Sequence, residues 1–454
     1  MNHKSNMDEG MHMPLHRRIA ENLGSQVSSG KLKPGERLPS ERQIAREYQA
    51  SRATVRTALQ HLEQAGLITR RERRSAVVTI RRDIAPYLRI ACSNPRLVHI
   101  FSRLSDLQLL PPRCQLQLND LQQSDALGRL MSQPATAADL MIFDFEHTRI
   151  FRTAPEQCQT LTRQFWSDCH INPQLHEMFA EENDYFAEPV CLTCQLVYVN
   201  HALLQEAQVE MPAARWQWDQ FVETARRLTH GGRYGFQFRP SFSHLAELMA
   251  RRGGQLYQAD GTIASNSSEA FEPTVRFIHE LVHLHKVSPI LAKADQLNLF
   301  AENRCAMALD GFDMFHFYRE KMGDNLGVTV LPSTDSGGGV IGGFAALAPA
   351  RQEECEPVFD LLRTLLSPNT QRTLAQIGGG LPARTDLLNI ETLESLKVPR
   401  ATGQIFLEQL QNSRPANQPA HPDHKRQVEN LFLEEWLGLD NIESICRRFK
   451  ELGS

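Results

Sequence analysis

The sequence predicts an α/β protein of more than one domain, in which a small basic helical domain precedes a larger acidic body. The length of 454 residues suggests two to four domains of ordinary size. Strands of buried type alternate with helical stretches through most of the chain. The net charge is −4 overall, but it is +9 between residues 14 and 82 and −12 from residue 83 onward. This asymmetry predicts a polyanion-binding domain attached to a body with another task.

Composition excludes several classes of protein. Hydrophobic residues make up 41% of the chain, which is enough to build cores and too much for a disordered protein. No run of about 18 apolar residues occurs, so we expect no membrane-spanning helix and no membrane partner. The first ten residues are polar, no apolar segment follows them, and the nine cysteines lack the spacing of a disulfide framework. We therefore expect a cytoplasmic protein with reduced thiols and no cofactor.

Three helices are predicted in the basic domain. The first begins at Pro14 and carries an apolar stripe made of Leu15, Ile19, Leu23 and Val27. The second follows Ser40, whose hydroxyl is placed to form a capping box with Gln43. The third follows Ser51 and exposes a face that includes Arg52, Thr54, Arg56 and Thr57. Two short helices joined by a tight turn, with arginine and hydroxyl groups on the second, indicate a helix-turn-helix that reads the major groove.

A β-hairpin is predicted after the third helix, from residues 67–69 and 76–80. The segment between its strands is almost wholly basic and includes Arg73 and Arg74. Arginines at such a tip are suited to contact phosphate groups, which position a protein on a duplex without reading its sequence.

Two stretches carry a family resemblance. Residues 30–45 (GKLKPGERLPSERQIA) and 51–68 (SRATVRTALQHLEQAGLI) together resemble the winged helix-turn-helix of GntR-family bacterial repressors. The resemblance implies a domain over residues 12–82 that binds operator DNA as a homodimer. It also implies DNA contacts from Ser40, Arg42, Ser51, Arg52, Thr54 and Arg56. The wing of the family usually ends in glycines that enter the minor groove; this segment has none, so we expect Arg73 and Arg74 to contact phosphates.

The body starts after a linker at residues 83–87. A strand at residues 88–92 opens it, and a second buried strand covers residues 140–143. In open α/β sheets, ligands bind at the carboxyl ends of the strands. The residues that follow these two strands are therefore candidate ligand-binding residues: Asn94, Asp144 and Glu146. The two carboxylates fit a solvated or capping position equally well.

Several segments of the body carry a second resemblance. Residues 196–207 (LVYVNHALLQEA), 300–312 (FAENRCAMALDGF) and 378–384 (GGGLPAR) resemble, in order and spacing, bacterial extracellular solute-binding proteins of the sugar type. The resemblance implies a periplasmic-binding-protein-like sensor over residues 88–454, whose two α/β lobes are joined by crossing strands and close on a small-molecule effector, a sugar or oligosaccharide. The implied limits are 88–194 with 343–388 for lobe one, and 195–342 with 389–454 for lobe two.

The same resemblance adds candidate ligand contacts. An aromatic residue usually follows the glycine that Gly311 matches, and Phe312 stands where tryptophan is common. A sugar ring stacks on phenylalanine, although phenylalanine lacks the indole donor. Arg239 comes just after a predicted strand, and Arg384 lies in a turn of the family, where a surface ion pair explains it equally well.

Two other segments resemble known catalytic or phosphate-binding motifs. His279, Glu280 and His283 form the HExxH pattern of zinc metalloproteases. Both histidines fall on the polar side of the predicted helix, and no third ligand appears at a usual spacing. The glycine-rich residues 337–343 match no phosphate-binding loop and predict a flexible crossing between lobes.

The sequence therefore predicts a transcription regulator that is not an enzyme, with an effector controlling its affinity for operator DNA. A cytoplasmic metal-dependent hydrolase that uses His279, Glu280 and His283 is the alternative, and zinc analysis discriminates the two. A transport receptor is the third hypothesis, because it would bind sugar but no duplex DNA.

Overall fold

A computed structural model of the protein describes these residues, to which every structural statement below refers: 15–28, 32, 36–64, 67–69, 76–78, 88–111, 114–118, 138–147, 158–159, 161, 169–181, 184–212, 215–258, 261–264, 267–290, 299–350, 356–417 and 422–452. The chain divides into two compact units. Unit 1 comprises Met1–Arg89 with Pro111–Gln115, and unit 2 comprises Ile90–Leu110 with Leu116–Ser454.

Unit 1 contains three helices and a short hairpin. The elements are α1 (Leu15–Ser28), α2 (Glu41–Glu47), α3 (Arg52–Gln64), β1 (Ile68–Thr69) and β2 (Val77–Val78). The two strands pair in antiparallel fashion, and Arg37 forms a further bridge to Val77. Ile19, Leu23 and Val27 are buried as the stripe predicts, whereas Leu15 at the start of α1 remains 37% exposed. The predicted three-helix core is therefore confirmed except at its first residue.

The turn between α2 and α3 depends on local backbone geometry. Gln49 adopts φ 49°, a left-handed conformation that ends α2 within two residues. The amide of Ala50 then donates to the carbonyl of Ala45. Val55 of α3 is fully buried beside Ile44 of α2 in one apolar core. Helix α3 is thus held against α2 by its apolar face, while its opposite face stays exposed.

The remaining elements form the α/β body. The helices are α4 (Pro95–Asp106), α5 (His176–Phe179), α6 (His201–Glu206), α7 (Trp218–Leu228), α8 (Phe242–Arg251), α9 (Ser267–His279), α10 (Phe315–Met322), α11 (Glu356–Leu365), α12 (Pro368–Gln376), α13 (Ile390–Ser395), α14 (Arg400–Gln411), α15 (Pro422–Trp436) and α16 (Ile442–Glu451). The strands are β3 (Leu88–Cys92), β4 (Cys114–Leu118), β5 (Leu140–Asp144), β6 (Ala180–Glu181), β7 (Asp184–Tyr185), β8 (Glu188–Asn200), β9 (Met307–Gly311), β10 (Leu326–Thr329), β11 (Gly339–Leu347), β12 (Leu381–Pro382) and β13 (Ser413–Pro415). A π-helical turn, Glu280–Leu284, extends α9.

The long strand β8 organises the sheet. Neighbouring strands follow the order β10–β8–β11–β5–β3, with β9 and β12 also on β8 and β13 on β11. Strands β3 and β5 run parallel, so their carboxyl ends meet at one edge of the sheet. The partners of β8 change along its length, because Cys194 is the last residue to pair with β11 and Gln195 is the first to pair with β9.

Most of the glycine-rich segment forms part of a β-strand. Gly339 to Gly343 lie inside β11 and pair with β13 or β8. Gly343 has φ 148°, and a Cβ atom there would lie 2.1 Å from the carbonyl oxygen of Cys191. The segment forms a paired strand rather than the flexible one predicted, and these glycines permit close approach of two strands. That the segment crosses between the lobes stays a prediction.

An apolar core lies on the side of β8 that faces α7, α8 and α9. The predicted buried face of α9 and its extension is confirmed, since Phe271, Val275, Ile278 and Val282 are all buried. Trp436 of α15 packs edge-on against Phe238, with ring centroids 4.6 Å apart. Within the described part of the chain, none of the helices combines the length and apolar character needed to cross a bilayer.

Candidate functional site

The exposed face of unit 1 lies at the start of α3. Ser51 caps this helix by accepting from the amide of Thr54 at 3.1 Å, and the two hydroxyls lie 2.7 Å apart. Arg52 and Arg56 are exposed on the next turn. The Arg56 side chain is 60% exposed, and its guanidinium lies 3.5 Å from Glu41. Such an exposed pair contributes little to stability, so this guanidinium can reorient towards a base edge at small cost.

Hydroxyl groups on the same face are engaged locally. Ser40 completes the predicted capping box, since Gln43 accepts at 2.8 Å from the Ser40 amide and donates its own amide to the Ser40 hydroxyl. Thr57 donates to the carbonyl of Ala53 at 3.1 Å. Arg42 is exposed on α2. Arg73 and Arg74 lie outside the described residues.

A first polar cluster in unit 2 lies where β3 and β5 end. Asn94 caps α4 by accepting from the amide of Leu97 at 3.0 Å. Its side-chain amide donates to Asp144 at 2.7 Å, and the Ser93 hydroxyl donates to the same carboxylate oxygen at 3.0 Å. The structure thus brings two candidate residues, Asn94 and Asp144, into direct contact. Asp144 remains partly exposed at the strand end, with one oxygen outside these two bonds.

A second polar cluster was missed by sequence reasoning. Arg96 of α4 lies 2.8 Å from Asp313, just after β9, and Thr193 of β8 donates to the other oxygen of Asp313 at 3.0 Å. Gly311 stands directly beneath these groups, because a Cβ atom there would lie 2.3 Å from both Thr193 and Asp313. The close approach of these polar groups therefore requires a glycine here, and its contact with a ligand stays a prediction.

Arg239 belongs to a third cluster. Its guanidinium pairs with the buried Asp310 of β9, and Tyr318 donates to the second oxygen of Asp310 at 2.6 Å. Burial raises the pKa of the Asp310 carboxyl, although Arg239 and Tyr318 act against it. The Arg239 side chain keeps 19% exposure. It can therefore donate outward while Asp310 holds it in place.

Glu146 is joined to a residue that is remote in sequence. Lys425 of α15 lies 2.7 Å from the Glu146 carboxylate and 3.9 Å from Glu429. Burial alone would lower the pKa of Lys425, but the attraction of Glu146 and Glu429 outweighs it and raises that pKa. Glu146 belongs to the segment we expect to be lobe one, and Lys425 to the segment we expect to be lobe two. Their ion pair is therefore a contact across the expected cleft.

Two candidate residues do not offer a ligand surface in this structure. Phe312 is 0% exposed, and its ring packs edge-on against Phe406 with centroids 4.7 Å apart. A sugar cannot stack on a ring with both faces covered. Arg384 is buried and holds Asp386 through two bonds of 2.9 and 2.7 Å. The ion-pair explanation of Arg384 fits the structure, and the expected aromatic platform at Phe312 does not.

Glu435, a third potential metal ligand, lies beside the two histidines of the HExxH pattern, and the sequence spacing did not reveal it. His279 Nδ1 lies 3.2 Å from the Glu435 carboxylate, and His283 Nε2 lies 3.0 Å from the Glu435 carbonyl oxygen. Burial raises the pKa of Glu435 to about 8. The residue follows His279 by 156 positions, so no local motif includes it.

Two known families match parts of this chain. Residues 15–78 match the family described as bacterial regulatory proteins, gntR family. Residues 121–398, more than half of the chain, match the family described as bacterial extracellular solute-binding protein. The chain belongs to the bacterial extracellular solute-binding protein family. It carries a GntR-type helix-turn-helix domain at its N-terminal end, as the two resemblances predict.

Individual relatives agree with this division. The mannosyl-D-glycerate transport/metabolism system repressor of Escherichia coli K12 is 42% identical over 57 residues, which are 13% of this chain and 24% of the repressor. The chain spans between 24% and 52% of the length of curated relatives that it matches.

Solved solute-binding proteins share the fold of the body. An ABC transporter solute-binding protein of Thermotoga lettingae, bound with α-D-tagatose, has a TM-score of 0.67 at 19% identity and covers 81% of this chain and 98% of its own. Maltose-bound MalE3 of T. maritima has a TM-score of 0.67 at 16% identity, with 80% and 99% covered. At this identity the likeness establishes the fold of the body and not its ligand.

Proposed function

We propose that the protein is a transcription regulator in which unit 1 binds operator DNA and unit 2 binds a small carbohydrate that controls this binding. The observation that carries the proposal is the presence, on one chain, of a GntR-type helix-turn-helix domain and a solute-binding-protein domain. Curated proteins that match unit 1 include a transport and metabolism repressor, so we propose repression rather than activation. Because operator DNA lies in the cytoplasm, we place its action there. The proposal includes no enzymatic step.

The candidate DNA contacts remain those on the exposed face of unit 1. Arg52 and Arg56 are long, exposed and positioned on the first two turns of α3, from which a recognition helix reads base edges. Arg42 extends from α2. Ser40, Ser51 and Thr54 take part in the hydrogen bonds at the helix starts, and Thr57 bonds to Ala53 within α3. We keep these four residues as proposed DNA contacts. We also keep Arg73 and Arg74 as proposed phosphate contacts.

The candidate ligand contacts combine predicted and newly found residues. Asn94, Asp144 and Glu146 offer amide and carboxylate groups from the first expected lobe. Asp313, Arg239 and Lys425 offer complementary groups from the second, with Arg96 bridging to Asp313. Sugars present many hydroxyls that each donate and accept, so a surface with both carboxylates and cations suits them. The ion pairs across the expected cleft would be exchanged for ligand contacts.

The proposed coupling uses a homodimer. DNA half-sites lie a set distance apart, so a change in the spacing of two helix-turn-helix domains changes operator affinity. We propose that the two lobes close on the carbohydrate and that closure acts through the linker at residues 83–87 on this spacing.

A gel-shift assay of the full chain tests the proposal. The duplex comes from the region upstream of the protein's own gene, and a panel of mono- and oligosaccharides is added in turn. We expect a specific complex whose affinity changes with at least one sugar. A chain that binds sugar but no duplex would be a transport receptor, and this result would refute the proposal.

A further inference from the structure

One group of potential metal ligands uses none of the residues proposed to contact DNA or carbohydrate. His279 ends α9, His283 lies in the π-helical turn that extends it, and Glu435 lies near the end of α15. The ligand atoms of these three residues all lie within 4.8 Å of one another. The π-helical turn places the two imidazoles side by side, with ring centroids 4.8 Å apart. Such turns occur frequently at functional sites.

Few hydrogen bonds or ion pairs offset the cost of burying the Glu435 carboxylate. Its side chain is 1% exposed, and among the described residues its ion-pair partners are the two imidazoles. Oxygen Oε2 has no hydrogen-bond partner within the described part of the chain. A buried carboxylate oxygen without a partner is costly, so it usually has a cation or a donor nearby. No Lys or Arg of the described residues takes this place.

We propose that His279, His283 and Glu435 bind one divalent transition-metal ion, with zinc as the ion that fits best. Zinc bound by two imidazoles and a carboxylate has bond lengths of about 2.0–2.2 Å, and tetrahedral geometry then separates the donor atoms by roughly 3.3 Å. The separations from Glu435 Oε1 are 3.2 Å to His279 Nδ1 and 3.7 Å to His283 Nε2. These two separations lie within a few tenths of an ångström of that value, and all the ligand atoms lie within 4.8 Å of one another, so rotation of the side chains would bring them together around the ion.

The exposure of the two histidines gives the ion a path from solvent and leaves room for a further ligand in its coordination shell. The side chain of His279 is 37% exposed and that of His283 is 20% exposed, so the cluster opens to solvent on the imidazole side. Water supplies the fourth ligand there. His283 Nε2 lies 3.0 Å from the Glu435 carbonyl oxygen, and a bound ion would replace this hydrogen bond.

A bound ion would link two segments of unit 2 that are remote in sequence. It would join the extension of α9 to the end of α15. The 15 residues of α15 span about 22 Å, and Lys425 near its beginning pairs with Glu146. The ion would thus stabilise the helix that provides one contact across the expected cleft.

Zinc binding by the full chain tests the inference. The chain is dialysed against chelator and titrated with zinc chloride by calorimetry, beside the variants His279→Ala and Glu435→Gln. We expect one zinc equivalent that raises the melting temperature of the parent. Each variant should bind it at least about 10-fold more weakly and lose the thermal shift. Glu435→Gln keeps the size of the side chain, so its fold is preserved.

Two controls isolate the cluster from the other histidines of the chain. His285→Ala removes an imidazole from the same segment but outside the cluster, and we expect parental zinc affinity. Glu280→Gln changes the residue that HExxH enzymes use as a base and should likewise leave affinity within about threefold, because Glu280 is no ligand here. Cobalt gives an independent test, since the parent and the two controls, but neither His279→Ala nor Glu435→Gln, should show intense visible bands of tetrahedral cobalt. Equal affinity in His279→Ala and the parent would overturn the inference, as would a parent that binds no zinc.

Discussion

Single side chains decide what each unit recognises, and Arg56 is the sharpest case. Arg56→Ala should reduce discrimination between the operator and a base-substituted duplex by about 1–3 kcal/mol if its guanidinium reads a base. Its pairing with Glu41 at 3.5 Å is too exposed to be needed for stability. Competition gel shifts measure the ratio of the affinities for the operator and for the base-substituted duplex. Arg226→Ala, which removes a similarly exposed arginine from unit 2, serves as the control. Unchanged discrimination in Arg56→Ala would show that Arg56 does not read a base.

Phe312 is predicted to matter for packing. Phe312→Ala should lower the free energy of unfolding by about 3–5 kcal/mol, because it empties a site that is fully enclosed beside Phe406. Urea unfolding measures this loss. Phe317→Ala, at a half-buried position of α10, should cost clearly less. If Phe312→Ala kept its stability but lost sugar affinity, the ring would be a ligand platform after all.

Residues also show where prediction from sequence ended. The hydroxyl caps at Ser40 and Ser51 follow from partners three residues away, so a linear pattern reveals them. Asn94 and Asp144 were found because strand ends converge by topology. Arg96 with Asp313 could not be found in this way, because the contact depends on how two distant segments pack. Glu435 lies 156 residues from His279 and has no motif of its own.

At the scale of elements, the pairing of β8 with β11 depends on one glycine. Gly343→Ala should destabilise the protein by about 3 kcal/mol or more, since its Cβ atom would collide with the Cys191 carbonyl and its φ of 148° is strained for other residues. Gly231→Ala is a matched control, because Gly231 also has positive φ but has open space around it. We expect it to cost about 1 kcal/mol in the same urea experiment. Equal losses would show that backbone strain alone decides.

Helices and strands were predicted best where their apolar pattern is local. Strand β3 occupies the predicted residues 88–92, and α9 buries its predicted face. The glycine-rich segment was misjudged because sequence cannot show whether glycine serves mobility or close approach. Only the pairing of β11 with β8 distinguishes the two explanations.

At the scale of the whole molecule, effector and operator should affect each other equally. A coupling free energy of about 1–3 kcal/mol would change operator affinity roughly 5–150-fold on binding of the sugar. Thermodynamic linkage then requires operator DNA to change sugar affinity by the same factor. Calorimetric titration of the sugar with and without operator duplex measures it. Asp313→Asn should weaken sugar binding and leave the operator affinity of the sugar-free chain unchanged. Asp106→Asn, on the exposed side of α4, should change neither the sugar affinity nor the operator affinity.

A mismatch between the two coupling factors would mean that the sugar acts on the DNA complex by another route, such as dissociation of the dimer. Sedimentation of the chain with and without sugar separates these outcomes. The homodimer itself is a proposal, and a monomeric chain that still binds a single half-site would contradict it.

The continuity of β8 has a consequence for how unit 2 comes apart. One strand of 13 residues pairs with β11 up to Cys194 and with β9 from Gln195 onward, while β10 pairs with its last four residues. Because one strand serves both halves of the sheet, we expect the opening of one half to weaken the other. The amide protons of β8 should exchange with deuterium only through complete unfolding, as a single cooperative block and the slowest in the chain.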